Sequence, residues 1–471
     1  MATITMKFGG TSVGSPEAIQ NVVSIVADAV GQGDQVVVVV SAMSGVTDVL
    51  LNCVKEAAGG NKWAYLSAAQ KLRDRHEEAI NMFTSPGADR ENTLHEIDGI
   101  LKQHSELCQA VNILGEATSR ITDSIVAAGE RMSARMVAAA LRNQGVNARA
   151  YEASRMVLTD DRFTSATVQW EQTEANIRRT LLPVIENGII PVITGFIGAT
   201  ADGHVTTLGR GGGDYSAAIF AACVDSDEMI VWTDVNGVMT TDPRMDKRAR
   251  VLPYISYQEV GELAFYGAKV LHPKTVQPIL NKRIPLRVRN TFNSAHSGTL
   301  IGPDAEPSTT VVKAVTAVRN VALLIVSGRG MMGVPGIAGR TFLATAQVGA
   351  NILMISQASS EQNFCFVVTD DRADFAKHSI ERELAGDIER GDVDSVNVVG
   401  EVAILTVVGA GMAGTPGVAG RVFTTLGDAG VNVIAIAQGA SEVSISFVIN
   451  EVDLKQAVIA LHNLALEAVI A

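Results

Sequence analysis

The chain has 471 residues, a formal net charge of −12 and a hydrophobic content of 47%. This length predicts two or three domains, and the composition excludes a mostly disordered protein. The acidic charge provides no overall field that would attract nucleic acid or an anionic membrane.

Cysteine usage and the N-terminus point to a reducing, cytosolic location. The four cysteines lie far apart without paired or histidine-linked spacing, so we expect buried thiols rather than disulfides or a zinc site. The histidines show no ligand spacing either, and no transition-metal site is expected. The N-terminus lacks a signal-peptide pattern, and no apolar run reaches the ~20 residues of a membrane span.

The first 300 residues alternate between strand and helix patterns. Short apolar runs at Val36 to Val40 and Ile189 to Thr194 are typical of strands buried on both faces of a parallel sheet. Helices are predicted for Pro16 to Val30, with Ser15 as the N-cap, and for Arg131 to Asn143. The alternation predicts an α/β domain whose ligands bind at the carboxyl ends of the strands.

Two segments interrupt this alternation. Leu66 to Gln109 is charged and helical without a strand signal, and we interpret it as a helical insertion or hairpin on the first domain. Gly302 to Thr310 contains two prolines and small polar residues, which is typical of a linker.

Beyond the linker the chain repeats itself. Gly330 to Arg340 aligns with Gly411 to Arg421, so that residue 330 matches residue 411, a constant offset of 81 residues without gaps. Each copy predicts a βαββα unit of ferredoxin-like type. The first copy has a further strand candidate at Val393 to Val399. The last strand of the second copy is either missing or supplied by Val311 to Val318, ahead of the first copy.

Two glycine-rich loops are candidates for binding anions. The strand Ile4 to Phe8 runs into Gly9 and Gly10 and then into a helix N-terminus, where backbone N–H groups and the helix dipole favour phosphate. Neither the Walker A nor the GxGxxG pattern matches, and a structural turn is the alternative. The second loop has three consecutive glycines between Arg210 and Asp214. It predicts anion binding by the arginine and metal or hydroxyl binding by the aspartate.

A third constellation, Val231 to Arg244, places acidic and hydroxyl groups at a strand end. Taken alone, it is equally compatible with a turn and with a site.

The order of motifs resembles that of aspartokinases in the amino-acid kinase superfamily. The resemblance rests on MKFGGTSVGS, VVVVVSAMSGVTD, AAGERMSARM, PVITGFIG, TTLGRGGGDYSAA, VWTDVNGVMTTDPR and GAKVLHPKT, and the repeat is similar to the tandem ACT domains of that family. It covers nearly the whole chain except residues 66–109. Homoserine dehydrogenase, fused downstream in bifunctional relatives, would need several hundred more residues, so the resemblance is to the monofunctional type.

This resemblance implies ATP- and Mg²⁺-dependent phosphorylation of the L-aspartate β-carboxylate to 4-phospho-L-aspartate, the first step toward lysine, threonine and methionine. No general base is needed, because a carboxylate nucleophile is already ionised. Matching these motifs to the family implies that Lys7 stabilises the transferring phosphoryl group and that Asp214 lies near the phosphates and metal. Glu130 binds the aspartate ammonium and Arg210 its α-carboxylate. The resemblance also places Ser41 and Thr47 at the edge of the substrate and phosphate pocket. The residues that it places in the nucleotide pocket are Gly9, Gly10, Thr233, Asp234, Arg244 and Lys269.

The same resemblance implies the domain organisation. An amino-acid kinase domain, with a mainly parallel sheet between helical layers, is expected at residues 1–303, with its helical insertion at about 66–109. ACT units are expected at 311–399 and 400–471. A feedback inhibitor, threonine in preference to lysine, would bind where ACT units pair, near the equivalent residues Asn351 and Asn432, Gln357 and Gln438. Pairing implies a homodimer or tetramer.

Two positions depart from the family pattern. Gly213 replaces a usual serine beside the phosphates, and Met239 replaces a usual tyrosine near the nucleotide. The loss of the serine hydroxyl and the tyrosine ring motivates a competing hypothesis outside the class of active enzymes, a catalytically weak or silent amino-acid sensor of the same fold. Within the enzyme class, the alternative is a kinase acting on glutamate derivatives.

Overall fold

The computed structural model describes residues 2–267, 271, 277–304, 310–357 and 362–466. The chain forms two compact units. The first comprises Met1–Val238, Pro253–Tyr257 and Val270–Asp304, and the second comprises Met239–Leu252, Gln258–Lys269 and Ala305–Ala471. Two segments from the middle of the chain therefore group with the C-terminal half, so the division does not fall at a single position.

The regular elements up to residue 302 are, in chain order, β1 (Thr3–Phe8), α1 (Pro16–Gly31), β2 (Gln35–Val40), α2 (Val46–Ala58), α3 (Lys62–Phe83), α4 (Ala88–Leu114), α5 (Ser119–Val126), α6 (Ala128–Asn143), β3 (Ala148–Tyr151), α7 (Trp170–Glu186), β4 (Ile190–Thr194), β5 (Ile197–Ala199), β6 (Val205–Thr207), α8 (Gly212–Cys223), β7 (Glu228–Thr233), β8 (Tyr254–Ser256), α9 (Tyr257–Phe265), α10 (Gln277–Leu280), β9 (Leu286–Asn290) and β10 (Thr299–Gly302).

The remaining elements are β11 (Ala314–Ser327), α11 (Ile337–Gln347), β12 (Met354–Gln357), β13 (Asn363–Thr369), α12 (Asp370–Glu383), α13 (Ala385–Arg390), β14 (Ser395–Val408), α14 (Val418–Asp428), β15 (Ala435–Gln438), β16 (Ser444–Asn450) and α15 (Leu454–Leu466).

An eight-stranded sheet organises the first unit, in the order β3-β4-β2-β1-β7-β9-β10-β8. All neighbours are parallel except β9 and β10, which confirms the mainly parallel sheet. Val36 to Val40 are buried on both faces, as the apolar run predicts. The first helix is also confirmed, because the Ser15 hydroxyl accepts the Ala18 N–H at 3.3 Å.

The segment predicted as a helical insertion forms a pair of long helices, α3 and α4. It extends beyond the predicted 66–109 at both ends. Its apolar side chains join the same core as the central strands, including Leu72, Ile80, Ile97 and Val111. The insertion is thus part of the first unit's hydrophobic core.

The second unit contains one six-stranded sheet, in the order β12-β13-β11-β14-β16-β15. The first five residues of β11, Ala314 to Val318, pair with the second repeat's Ile404 to Val408. This confirms that the segment ahead of the first repeat supplies the last strand of the second. The sequence predicts separate strands at 311–318 and 321–327, and again at 393–399 and 402–408. Each pair is instead one 14-residue strand, and the pairing register between the two strands shifts near Asn320 and Glu401, which adopt positive φ.

Buried polar contacts attach the middle segments to this second unit. His462 on α15 hydrogen-bonds Asp246 through Nδ1 and Thr240 through Nε2, both at 2.8 Å. Glu259 on α9 is fully buried and lies 3.1 Å from Lys313 Nζ, and it also accepts the Ala410 N–H at 2.6 Å. Such buried, satisfied groups fix the position of the segments that carry them.

Within the described part of the chain, no helix has the length and apolarity needed to cross a membrane. The four cysteines are free thiols; Cys365 is half-buried and the other three are buried.

Candidate active site

A cavity of about 580 Å³ opens in the first unit at the carboxyl ends of β1 and β2. The N-terminal turns of α2, α6 and α8 also line it. The loop after β2 leads into α2, the loop after β6 leads into α8, and α6 follows α5 after a single residue. The cavity brings together seven of the predicted site residues: Lys7, Gly10, Ser41, Thr47, Glu130, Arg210 and Asp214.

A lysine and a helix N-terminus form the cationic side of the cavity. Lys7 Nζ, near the end of β1, lies 2.6 Å from Asp214 Oδ1 in the first turn of α8. The first backbone N–H groups of a helix have no intrahelical partner and point along its axis. Lys7 and the start of α8 therefore offer positive charge and N–H donors to an anion such as a phosphoryl group.

Conformational and steric constraints explain two of the three consecutive glycines before Asp214. Gly211 has φ of 76°, a left-handed conformation that glycine adopts without strain. A Cβ on Gly212 would lie 2.7 Å from Phe196 Cδ2. A Cβ on Gly213 would lie 3.0 Å from the Ser41 hydroxyl and 3.5 Å from Lys7 Cε, so this departure from the family pattern faces the cavity.

Glu130 supplies a buried carboxyl group in the first turn of α6. Its side chain is 4% exposed, and Oε1 accepts the Ala42 N–H at 3.2 Å. Among the described residues, Oε2 has no hydrogen-bond partner. Burial raises the pKa of Glu130 to about 7, although the Ala42 N–H and the Lys7 charge partly oppose this. A buried carboxylate with a free oxygen is suited to an ammonium ligand.

Arg210 lies in the loop between β6 and α8 and lines the same cavity. The sequence missed the residue that supports this loop, Asp123, which is 1% exposed at the cavity wall. Asp123 accepts the Thr207 hydroxyl and N–H and the Thr164 N–H, at 2.8 to 2.9 Å. Burial raises its pKa despite these bonds. Two of its partners are backbone N–H groups 41 and 84 residues away, so no local sequence signal marked Asp123.

Three nucleotide-pocket candidates of the first unit do not line this cavity. The Gly9 N–H donates to the Trp232 carbonyl at 3.2 Å, which joins the β1 loop to the end of β7. Thr233 ends β7, and its hydroxyl donates to Asp234 at 3.2 Å. Thr233 and Asp234 lie at the carboxyl end of β7, the strand that pairs with β1. Their binding role stays a prediction.

The other two nucleotide candidates have different outcomes. Arg244 belongs to the second unit, and its guanidinium is paired with Asp242 at 2.6 Å. Lys269 lies outside the described residues.

The candidate effector residues all belong to the second unit and are exposed. Gln357 and Gln438 end the edge strands β12 and β15, and Asn351 and Asn432 stand three residues before those strands. Each of the two residues in the first repeat therefore has an equivalent at the same position relative to the matching edge strand in the second repeat.

Comparison with known proteins assigns the family. Residues 2–290 match the amino acid kinase family, and residues 324–384 and 405–464 match the ACT domain. The chain is 36% identical, over 97% of its length, to bifunctional aspartokinase/homoserine dehydrogenase 1, chloroplastic, of Arabidopsis thaliana, of which it spans 50%. It is 31% identical to aspartokinase 1, chloroplastic, of the same plant, covering 98% of this chain and 80% of that protein.

Solved structures of E. coli aspartokinase III share the fold. The complex of that enzyme with aspartate and ADP has a TM-score of 0.82 at 28% identity and covers 99% of this chain and 100% of the other. Its complex with lysine and aspartate has a TM-score of 0.79 at 27% identity, with the same coverage. The chain spans only about half the length of the bifunctional relatives that it matches. It belongs to the amino acid kinase family, and its relatives within that family are aspartokinases.

Proposed function

We propose that this protein phosphorylates the β-carboxylate of L-aspartate with ATP, giving 4-phospho-L-aspartate. One observation carries the proposal: a single cavity combines Lys7 and the α8 N-terminus with Glu130 and Arg210. An amino acid with a second carboxylate has one ammonium and two anionic groups, so it needs one acidic and two basic partners. The aspartate and ADP bound by E. coli aspartokinase III agree with this ligand class.

Each charged residue has one role in this proposal. Glu130 binds the ammonium through its free Oε2, and Arg210 binds the α-carboxylate with two parallel N–H donors. The β-carboxylate then points to Lys7, where the γ-phosphoryl group of ATP is received. Transfer between two anions is limited by charge repulsion and alignment, which Lys7 and the backbone N–H groups of α8 reduce.

A divalent cation fits this cavity as a partner of the nucleotide. Mg²⁺ in kinase sites is held by one or two carboxylates together with the substrate phosphates, and Asp214 is such a carboxylate. Among the described residues, no cluster of three or more His, Cys, Asp or Glu could hold a metal by itself. Mg²⁺ would neutralise charge on the phosphates, while Lys7 and Arg210 position the reactants.

Formation of aspartyl hydroxamate from aspartate, Mg·ATP and hydroxylamine tests the activity, with glutamate as the control substrate. We expect a signal that depends on aspartate. A signal with glutamate alone would favour a kinase for glutamate derivatives. The absence of any aspartate-dependent signal would reject the kinase proposal and favour a silent sensor.

Restoring the family serine, Gly213→Ser, is expected to increase activity or ATP affinity by about tenfold or more. The new Cβ would lie 3.0 Å from the Ser41 hydroxyl and 4.0 Å from Lys7 Nζ, and a hydrogen bond from the added hydroxyl to a charged phosphate contributes roughly 1.5 to 3 kcal/mol. The Ser41 hydroxyl must shift by a few tenths of an ångström. Gly212→Ser is the matched control and should lose activity, because its Cβ would clash with Phe196. A loss of both activity and ATP affinity in Gly213→Ser would contradict this interpretation.

We also propose feedback inhibition through the second unit, with threonine favoured over lysine and with a homodimer or tetramer as the assembly. The ACT match and the equivalent, exposed ends of β12 and β15 support an amino-acid effector. Lysine bound to E. coli aspartokinase III keeps lysine as the alternative. A cytosolic location also stays a prediction.

Gln357→Ala and Gln438→Ala are expected to raise the inhibitor concentration for half-inhibition about tenfold, while the uninhibited kcat stays unchanged. Loss of one amide contact of about 1.4 kcal/mol is enough for this shift. Gln347→Ala is the control, since Gln347 is exposed in the same unit and Asp428 replaces it in the second repeat. If neither threonine nor lysine changes activity at millimolar concentration, the regulatory proposal fails.

A further inference from the structure

The helical insertion contacts the cavity loops through one arginine. Arg75 on α3 donates from one guanidinium nitrogen to the Ser44 carbonyl at 2.9 Å and from another to the Gly14 carbonyl at 2.8 Å. These carbonyls belong to the two loops that follow β1 and β2, 61 and 31 residues away in the sequence. No element of the proposed chemistry accounts for this contact.

The two loops fit against each other at distances that leave no room for larger side chains. The Ser44 N–H donates to the Gly10 carbonyl at 3.0 Å. A Cβ on Gly14 would lie 2.9 Å from the Gly10 carbonyl and 3.2 Å from Ser44 Cβ. Gly10 and Ser44 both line the cavity, so a small relative shift of the loops would change its shape.

The helix that carries Arg75 is anchored in the core beside this residue. Its neighbour His76 is fully buried, and its ring Nδ1 is 2.7 Å from the Leu72 carbonyl. Burial lowers the His76 pKa to about 4, so the ring is neutral at pH 7. Because α3 belongs to the core of the first unit, the Arg75 guanidinium is presented to the loops from a fixed support.

The direction of these hydrogen bonds determines where the next N–H groups point. In a trans peptide the carbonyl and the following N–H lie on opposite sides. Holding the Ser44 carbonyl toward Arg75 therefore turns the Gly45 N–H the other way, and Gly45 lines the cavity. Gly45 has φ of 79° and caps the N-terminus of α2, where N–H groups are suited to anions.

We propose that Arg75 is a positioning residue, which joins the loops after β1 and β2 and thereby orients backbone donors toward the transferring phosphoryl group. This inference rests on the proposed kinase function. A guanidinium has donors in a rigid fork and can satisfy both carbonyls simultaneously, whereas a lysine ammonium on a flexible stem does not reproduce this geometry.

Arg75→Lys is expected to lower kcat roughly tenfold, and Arg75→Ala up to a hundredfold, with the aspartate KM changed less than threefold. Millimolar methylguanidinium should restore part of the kcat of Arg75→Ala, but none of that of Lys7→Ala. Arg73→Lys and Arg73→Ala are the matched controls, because Arg73 lies on the same helix and pairs with Asp98 and Glu77 instead. Both controls should retain the wild-type kcat.

Amide hydrogen exchange provides a readout that does not depend on activity. In Arg75→Lys we expect faster exchange in residues 9–15 and 41–45 together, with the thermal midpoint within a few degrees of wild type. An unchanged kcat or unchanged loop exchange in Arg75→Lys would overturn the proposal. So would equal losses in the Arg73 and Arg75 variants. A wild-type protein without aspartate-dependent activity would instead reject the kinase function, and loop exchange would still test the Arg75 contact.

Discussion

Replacing Lys7 with alanine is expected to lower kcat roughly a thousandfold, with a much smaller change in the aspartate KM. Lys7 Nζ lies in the cavity beside Asp214. Its ammonium group can contact the equatorial oxygens of a phosphoryl group during transfer and stabilise their negative charge. A residue that acts mainly on the transition state changes kcat rather than substrate affinity. Initial rates from the hydroxamate assay, at varied aspartate and saturating Mg·ATP, measure both parameters.

Arg210→Ala is expected to give the opposite pattern. The guanidinium binds the α-carboxylate equally in the ground state and the transition state, so its loss should raise the aspartate KM about ten- to a hundredfold. The kcat should change far less. The comparison therefore separates the phosphoryl-binding side of the cavity from the side that binds the amino acid.

Lys55→Ala is the control, because Lys55 lies on an exposed position of α2. ADP binding measured by calorimetry verifies that the Lys7 variant retains a folded nucleotide site. Small, equal effects on kcat and KM in both variants would reject the assigned roles.

Glu130→Gln is expected to remove a large pH dependence from the stability of the ligand-free protein. The Glu130 pKa rises from its ordinary value of 4.5 to about 7 in the folded chain. A carboxyl group with a raised pKa stabilises the folded state below pH ~4.5, and this contribution is lost as the pH rises through 7. The difference corresponds to about 3 kcal/mol of unfolding free energy. Urea unfolding at pH values between 4 and 8 measures it in both proteins.

The same titration affects substrate binding with the opposite sign. The aspartate ammonium needs the ionised carboxylate, so aspartate affinity should increase up to about pH 7 in the wild-type protein. Glu130→Gln should bind aspartate at least tenfold more weakly, with little dependence on pH over this range. Isothermal calorimetry with aspartate and ADP provides the measurement.

Glu116→Gln is the matched control, since Glu116 is exposed between α4 and α5. It should leave both pH profiles unchanged. If Glu130→Gln follows the wild-type profiles, the buried carboxyl is not the group that titrates.

The sequence alone determined the features that depend on neighbouring residues. The apolar run at Val36 to Val40 predicts a buried strand, and Ser15 before Pro16 predicts a helix start, because both signals come from local side-chain chemistry. The second glycine loop similarly indicated a site, because its glycines stand between Arg210 and Asp214. The repeat was visible because two copies of one pattern share a constant offset.

Tertiary structure decided the features that depend on residues far apart in the chain. Glu130 is recognisable in the sequence, but its free Oε2 and raised pKa come from burial against the Ala42 loop. Asp123 and Arg75 act on backbone groups 31 to 84 residues away, and backbone carbonyls and N–H groups leave no residue-specific signal. Their roles exist only once the loops that they hold have been brought together by folding.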